Sequence, residues 1–335
     1  MSNTKSIAVI GAGAIGGITA AFLSAAGHNV QIVCKYEDKA SLAREAGLHI
    51  TGIRGEHFVK MNAVADIEQL SGKKDYILIV TKTYDMPDAA KRALKFAHKD
   101  TVFVSMQNGI CVDAMSAIVG NNTVGCVIGW GSTMQPDGTL NMTSEGEFVI
   151  GGDLDLSELK QIFSDVMPTR ISANIINELY SKMIINACIT SMGVLSGLGL
   201  GVMLKSSRAR NIFIGVMKEA MQVADAMKLT VPPFANKLNY YSFIKGNHIF
   251  AKLKRHALIR IIGFKYRRLK SSSLASLRRG KPTEIDYFNG FIADKGRELS
   301  VPTPLNSRIV VMIKQIEQGN RDITPANFAE LTALL

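Results

Sequence analysis

The chain has 335 residues, 47% of them hydrophobic, and a formal net charge of +11. That length and apolar content support two ordinary domains with buried cores, and no apolar run approaches the ~20 residues of a membrane span, so disordered and transmembrane classes are set aside. The four cysteines, Cys34, Cys111, Cys126 and Cys188, show no CxxC spacing, so neither a metal site nor a disulfide framework is expected and a reducing, cytoplasmic setting fits.

No basic-plus-apolar leader is expected at the start, because the first strand begins almost at once. The apolar run Ser6 to Ile10 leads into Gly11-Ala12-Gly13-Ala14-Ile15-Gly16 and then an apolar helical pattern, Ile18 to Ala26, ending at Gly27. Strand, glycine loop and helix in this order are the context of a dinucleotide-binding turn. Gly11 makes the turn, Gly13 admits a pyrophosphate where a Cβ would collide, and Gly16 permits close helix packing. Gly11, Gly13, Ala14, Ile15 and Gly16 are therefore cofactor-binding candidates, with the helix N–H groups facing the phosphates. The bland alternative is a glycine-rich turn of some other α/β protein.

A second strand, Asn29 to Cys34, closes on Lys35. An acidic residue at that place takes the ribose hydroxyls of NAD, whereas a cation suits a 2′-phosphate, so Lys35 favours NADPH over NADH. Glu37 and Asp38 follow slightly late, and a solvated loop lysine is the competing reading. Asp75 to Thr81 is an uninterrupted apolar strand running into Lys82. Thr101 to Met106 is another, ending in Gln107-Asn108-Gly109. Open α/β sheets bind ligands at strand C-terminal ends, which puts Lys82 and Asn108 on the cofactor side. Strand-like segments at Thr123 to Ile128 and Glu147 to Ile150 flank a turn at Pro136-Asp137-Gly138. A helix over Leu156 to Val166 and a short strand at Thr169 to Ile171 follow.

From about Asn174 long helical patterns replace this alternation: Ile175 to Met192, Ala209 to Met227 and Glu284 to Leu299, punctuated by Pro232-Pro233 and Pro302 to Pro304. The expected architecture is an α/β Rossmann domain with a mostly parallel sheet, residues 1–172, followed by an all-helical domain, residues 173–335. Lys182, Asn186 and Thr190 fall at i, i+4 and i+8 of the first long helix and share one face. A lysine on an apolar helix beside a cleft is a useful acid once desolvation lowers its pKa; a snorkelling surface lysine is the alternative.

The basicity is local. Of 39 Lys and Arg residues, 14 lie from Lys228 to Lys281, with no acid between Asp225 and Glu284, leaving 25 basic against 28 acidic side chains elsewhere. An insert at about 236–270 carries His248, His256 and the aromatic residues Tyr240, Tyr241, Phe243, Phe250, Phe264 and Tyr266. Within it, Ala251 to Leu269 is basic and amphipathic. Three readings stand: a helix with a solvated face, a lining of the site mouth that favours anionic substrates, or a docking surface for anionic lipid or nucleic acid. The two histidines have no partners in a metal-ligand pattern.

GAGAIG near the start, QNG at Asn108, LYSKMIINACI around Lys182 and SSSLASLRRGKPTEIDYFNG from Ser271 to Gly290 together resemble the ketopantoate reductase family (2-dehydropantoate 2-reductase), in register over roughly residues 6 to 315. The resemblance implies reduction of a 2-oxo acid by NADPH in a cleft between a Rossmann domain and a helical domain of the 6-phosphogluconate dehydrogenase type. It places the general acid on Lys182 and, on Glu284, the glutamate that holds the lysine and the substrate hydroxyl. It puts Asn108 near the nicotinamide and the carbonyl, Ser272 on the substrate carboxylate, Asn186 on the substrate and Lys82 on the cofactor side.

The family's KxxxNxxxNP pattern departs at Thr190-Ser191, where threonine offers one hydroxyl in place of an amide's paired donor and acceptor. Asp286 and Asn289 are read as helix-surface or interdomain contacts. Expected, then, is an NADP-dependent reductase of ketopantoate to pantoate in pantothenate biosynthesis. The alternatives are a reductase of another branched or anionic 2-oxo acid and a non-catalytic NADP-binding regulator docking through the basic segment. A homodimer is expected, with no specific nucleic-acid partner and no metal.

Overall fold

In a computed structural model, which describes residues 4–234, 238–246, 248–265, 267 and 271–335, the run Ser6–Ile10 is strand β1 and leads through the glycine loop into α1 (Ala14–Ala25). Of the expected insert at about 236–270, residues 236, 237, 247, 266 and 268–270 lie outside the described residues. The chain continues with β2 (Asn29–Val33), α2 (Glu37–Glu45), β3 (Leu48–Gly52), β4 (His57–Val59), β5 (Asn62–Val64) and β6 (Lys74–Ile79). Next come α3 (Met86–Ala93), β7 (Ala97–Ser105), α4 (Val112–Val119) and β8 (Thr123–Ile128). Then β9 (Gly131–Met134), β10 (Leu140–Ser144), β11 (Phe148–Gly151), α5 (Ser157–Ser164) and β12 (Thr169–Ile171) follow.

The main sheet runs β12-β11-β8-β7-β6-β1-β2-β5. Six of its strands pair in parallel, from β5 through β8, and in chain order they read 3-2-1-4-5-6, the dinucleotide-binding arrangement. At the other edge β11 pairs antiparallel with β8, and β12 lies parallel to β11, so these two strands run opposite to the six. Alternate residues of β1 feed two cores, as a period of two demands. Ile7 and Val9 pack with α1 and α5 through Ile18, Leu23, Ile162 and Phe163. Ala8 and Ile10 pack with α3 and α4 through Met86, Ala90 and Met115. Apolar layers on both faces account for the uninterrupted hydrophobic strands.

A second, four-stranded sheet, ordered β4-β3-β10-β9, was not among the sequence expectations, which gave only the turn at residues 136–138. Its central pair is parallel, Ile50 opposite Leu140, and the sheet packs on α1.

The helical part comprises α6 (Ile175–Ser196), α7 (Leu200–Met203), α8 (Ser207–Ala226), α9 (Tyr240–Ile244), α10 (Ile249–Lys265), α11 (Ser272–Leu277), α12 (Asn289–Glu298), α13 (Pro304–Glu317) and α14 (Phe328–Thr332). The chain divides into two compact units, residues 1–179 and 180–335, so the division falls inside α6, a few residues beyond the change in sequence pattern. One expected helix is corrected. Residues 284–299 are not continuous: a 3₁₀ turn over Ile285–Tyr287 precedes α12, and Phe288, at φ −116° and ψ −91°, breaks the path between them. Among the described residues no helix is long and apolar enough to cross a membrane.

Candidate active site

In the first unit, the expected cofactor residues gather at the C-terminal ends of β1, β2, β6 and β7. Gly11 has φ +116°, and a Cβ there would lie 3.0 Å from the Val80 carbonyl carbon and oxygen, so the turn after β1 needs glycine. A Cβ on Gly16 would lie 1.9 Å from the Gly11 carbonyl oxygen. The close approach that demands glycine there is therefore to the loop itself, with the Val80 side chain next. Gly13 differs: a Cβ would meet no described atom within 4 Å, and its φ of −72° suits any residue. It is the N-cap of α1 and no side chain caps the helix, so the amides beginning at Ala14 and Ile15 face outward. The hydroxyl of Thr81, on the loop after β6 beside Gly11, is buried and has no hydrogen-bond partner among the described residues. An open loop, an uncapped helix start and an orphaned hydroxyl fit a phosphate-bearing dinucleotide.

Lys35 is exposed two residues after β2 and has φ 72°, in the left-handed region, between the strand and α2. Glu37, the late acidic residue, is engaged by the Arg44 guanidinium at 2.5 Å, while Arg44 also donates to the Ala63 carbonyl at 2.9 Å. Cys34 is buried, and burial, the largest influence, pushes its thiol up to about 11, so it is no nucleophile.

Lys82 opens the turn after β6, and the Thr83 hydroxyl donates to the Asn108 carbonyl at 3.2 Å. Gln107, which sequence reasoning left without a role, ties the same strand ends together. Its amide donates to the Ile79 carbonyl at 2.6 Å, and its side-chain oxygen accepts from Ser105 at 2.7 Å.

In the second unit, α6 carries Lys182 and Asn186, both half-buried, and Thr190, 6% exposed, on one face. The backbone beneath Lys182 is held from two sides. Tyr180 donates to the Ala220 carbonyl at 2.6 Å, and Tyr240 donates to the Ser181 carbonyl at 2.5 Å. Burial pushes both phenols upward, so they remain protonated donors. Ser272 is exposed and opens α11, whose N-cap, Ser271, donates to the Thr190 carbonyl at 2.8 Å. Glu284 is 3% exposed and precedes the 3₁₀ turn; the neighbouring Thr283 amide and hydroxyl donate to Glu317 at 2.8 and 2.6 Å.

The surface reading of Asn289 is wrong, while Asp286 is exposed and paired with Lys314 at 2.6 Å. Asn289 is 0% exposed: it accepts from the Ser191 hydroxyl and donates to Ala187 (3.3 Å) and Asn306 (2.9 Å). Asn306 continues to Glu219, which accepts the Leu305 and Asn306 amides at the start of α13. Ser191 thus supplies a donor to a buried network, and Asn289 docks the start of α12 on α6. Among the described residues no cluster of three or more His, Cys, Asp or Glu side chains could hold a metal ion.

Residues 7–153 match the family described as ketopantoate reductase PanE/ApbA, and residues 174–317 match its C-terminal part. The chain belongs to the ketopantoate reductase family. Members of this family are NADPH-dependent oxidoreductases acting on CH–OH groups, and the chain is an oxidoreductase of that class. A 2-dehydropantoate 2-reductase of Pyrococcus abyssi is 27% identical, over 92% of this chain and 96% of that protein. One from Aquifex aeolicus is 26% identical, over 93% and 97%. The crystal structure of a PanE/ApbA family ketopantoate reductase from Ralstonia eutropha JMP134 superposes with a TM-score of 0.81 at 25% identity, covering 95% of this chain and 100% of that one. D-mandelate dehydrogenase in a ternary structure with NADH and anilino(oxo)acetate shares the fold, at TM-score 0.79 and 20% identity, over 94% and 99%.

Proposed function

We propose that this ketopantoate reductase family member reduces a 2-oxo acid with NADPH, ketopantoate to pantoate being the first-choice reaction, on the route to pantothenate. The observation that carries the reading is that the family match spans both the glycine loop and the segments bearing Lys182 and Glu284. The loop of Gly11, Gly13 and Gly16 with the α1 amides at Ala14 and Ile15 holds the pyrophosphate; Lys35 takes the 2′-phosphate; Lys82 stands on the cofactor side. When bound, NADPH supplies the hydride that the substrate's carbonyl carbon receives.

The protein's part is orientation and proton delivery. Lys182 holds a proton at Nζ and passes it to the carbonyl oxygen, turning the 2-oxo acid into the 2-hydroxy acid. Glu284 holds Lys182 and the product hydroxyl, and Asn108 stands beside the reacting carbonyl. Ser272 binds the substrate carboxylate, and Asn186 and Thr190 bind the remainder of the substrate. Residues 1–172 form the cofactor part and 173–335 the substrate part. A homodimer belongs to this reading, in keeping with a dimeric ketopantoate reductase from Staphylococcus aureus that shares the fold at TM-score 0.74 and 18% identity. So does a cytoplasmic setting, which the four buried thiols suit.

A second reading keeps the chemistry and changes the acid. Thr190 stands where the family has asparagine, and the fold is also that of a D-mandelate dehydrogenase. Steady-state oxidation of NADPH with ketopantoate beside branched, aromatic and phosphorylated 2-oxo acids separates the two. The highest kcat/KM on ketopantoate supports the first, and a higher value on another acid supports the second. Tight NADPH binding without turnover on any of them contradicts both and leaves a regulator.

A further inference from the structure

Helix α10 is mounted with its apolar side outward. Its inward face holds Ile259, Gly263 and Arg255, the last only 5% exposed. Arg255 donates to the carbonyls of Lys245 (3.0 Å) and Gly246 (2.8 Å) behind α9, and its neighbour His256 accepts from Arg210 at 2.9 Å. These bonds fix the helix's rotation. On the outward face stand Phe250 (76% exposed), Leu253 (60%), Ile261 (64%) and Phe264 (71%), with Ala257 between them. Their spacing, i, i+3, i+7, i+11 and i+14, makes one continuous stripe at about 100° per residue. Arg260 borders it on one side and Lys254 and Lys265 on the other, all exposed. Arg267 lies 5.0 Å over the Phe264 ring.

We propose that α10 is a docking surface for an anionic lipid bilayer, lying flat with its aromatic and aliphatic stripe in the headgroup region. Two features single out this occupant. The charged side chains of α10 that border the stripe are all cations, and no acid occurs between Asp225 and Glu284, so pairing α10 with its copy would set like charges face to face. A helix of 17 residues is about 26 Å long; at about 10 Å wide its face offers roughly 260 Å², well below the ~800 Å² per partner of a stable interface. An anionic surface answers both: it takes apolar side chains of any shape and rewards each bordering cation. The inference is independent of the catalytic reading and leaves dimerisation to other surfaces.

The test is co-sedimentation of the full chain with vesicles of one part phosphatidylglycerol to two of phosphatidylcholine, and with pure phosphatidylcholine, at about 0.15 M salt, where weak polyanion attraction is screened. Expected is partitioning to the anionic vesicles, falling about tenfold in Leu253→Ser/Ile261→Ser and again in Lys254→Gln/Arg260→Gln, with unchanged melting temperatures because every substituted side chain is exposed. Absence of wild-type partitioning, or partitioning that the serine pair leaves unchanged, overturns the proposal. So does a concentration-dependent dimer in sedimentation velocity that the serine pair dissolves, since a second copy then covers the stripe. Binding of these residues to single-stranded RNA but not to vesicles overturns it too.

Discussion

The Ser271 hydroxyl joins two segments far apart in sequence: it donates to the Thr190 carbonyl at 2.8 Å and accepts from the Leu274 amide at 3.1 Å. One buried side chain therefore caps α11 and fastens its first turn, with Ser272, to the helix bearing Lys182, Asn186 and Thr190. Ser271→Ala removes the cap of α11 and the second hydrogen bond on the Thr190 carbonyl, which keeps its own helix bond, a loss of about 1–2 kcal/mol. Urea denaturation measures that loss. Because Ser272 moves with the cap, KM for the 2-oxo acid rises severalfold while the Kd of NADPH stays as in wild type.

The glycines of the loop separate folding from binding. Gly16→Ala sets a methyl against the Gly11 carbonyl, where 1.9 Å is available, so the variant melts several degrees lower and loses cofactor affinity. Gly13→Ala meets open space at a φ of −72°. It keeps the wild-type melting temperature and still weakens NADPH binding tenfold or more, on the order of 1.4 kcal/mol. Calorimetric melts beside NADPH titration check both; a Gly13→Ala variant with full affinity removes the pyrophosphate from this loop.

Lys35 sets the choice of cofactor in this account. Lys35→Ala raises KM for NADPH about tenfold and leaves KM for NADH within about twofold, because only the 2′-phosphate loses a partner. An equal effect on both cofactors, read from initial rates, makes Lys35 a general loop residue.

His256 gives the helical unit a pH dependence. Burial, then the cations Arg210 and Arg255, hold its imidazole below the ordinary value of 6.5. The unfolded chain then takes up the proton more readily, so stability is full above pH 6.5 and drains away as pH falls toward the lower folded value. The melting temperature drops between about pH 7.5 and about pH 5.5, and the drop is smaller in His256→Gln, whose side-chain oxygen still accepts from Arg210.

Much of the fold was legible because its signals are local. The glycine loop, the buried parallel strands and α6 each lie within one short window, and β8 and β12 fall where their apolar runs stand. The second sheet was not, since its strands have three to five residues and its central pair joins Ile50 to Leu140, about ninety positions apart. Asn289 was misread for the same reason: its partners Ser191 and Asn306 lie on other helices. For α10, sequence shows a basic amphipathic pattern, but an inward Arg255 reverses which face meets solvent, and only the carbonyls of residues 245 and 246 reveal that.

The most direct measurement of the central claim is NADPH oxidation on ketopantoate by wild type and Lys182→Ala, with NADPH and substrate binding measured on both. The account predicts that the variant binds both ligands nearly as wild type does while kcat falls at least a hundredfold, the scale of a lost general acid. A variant that keeps wild-type kcat takes the proton from another donor and contradicts the role given to Lys182.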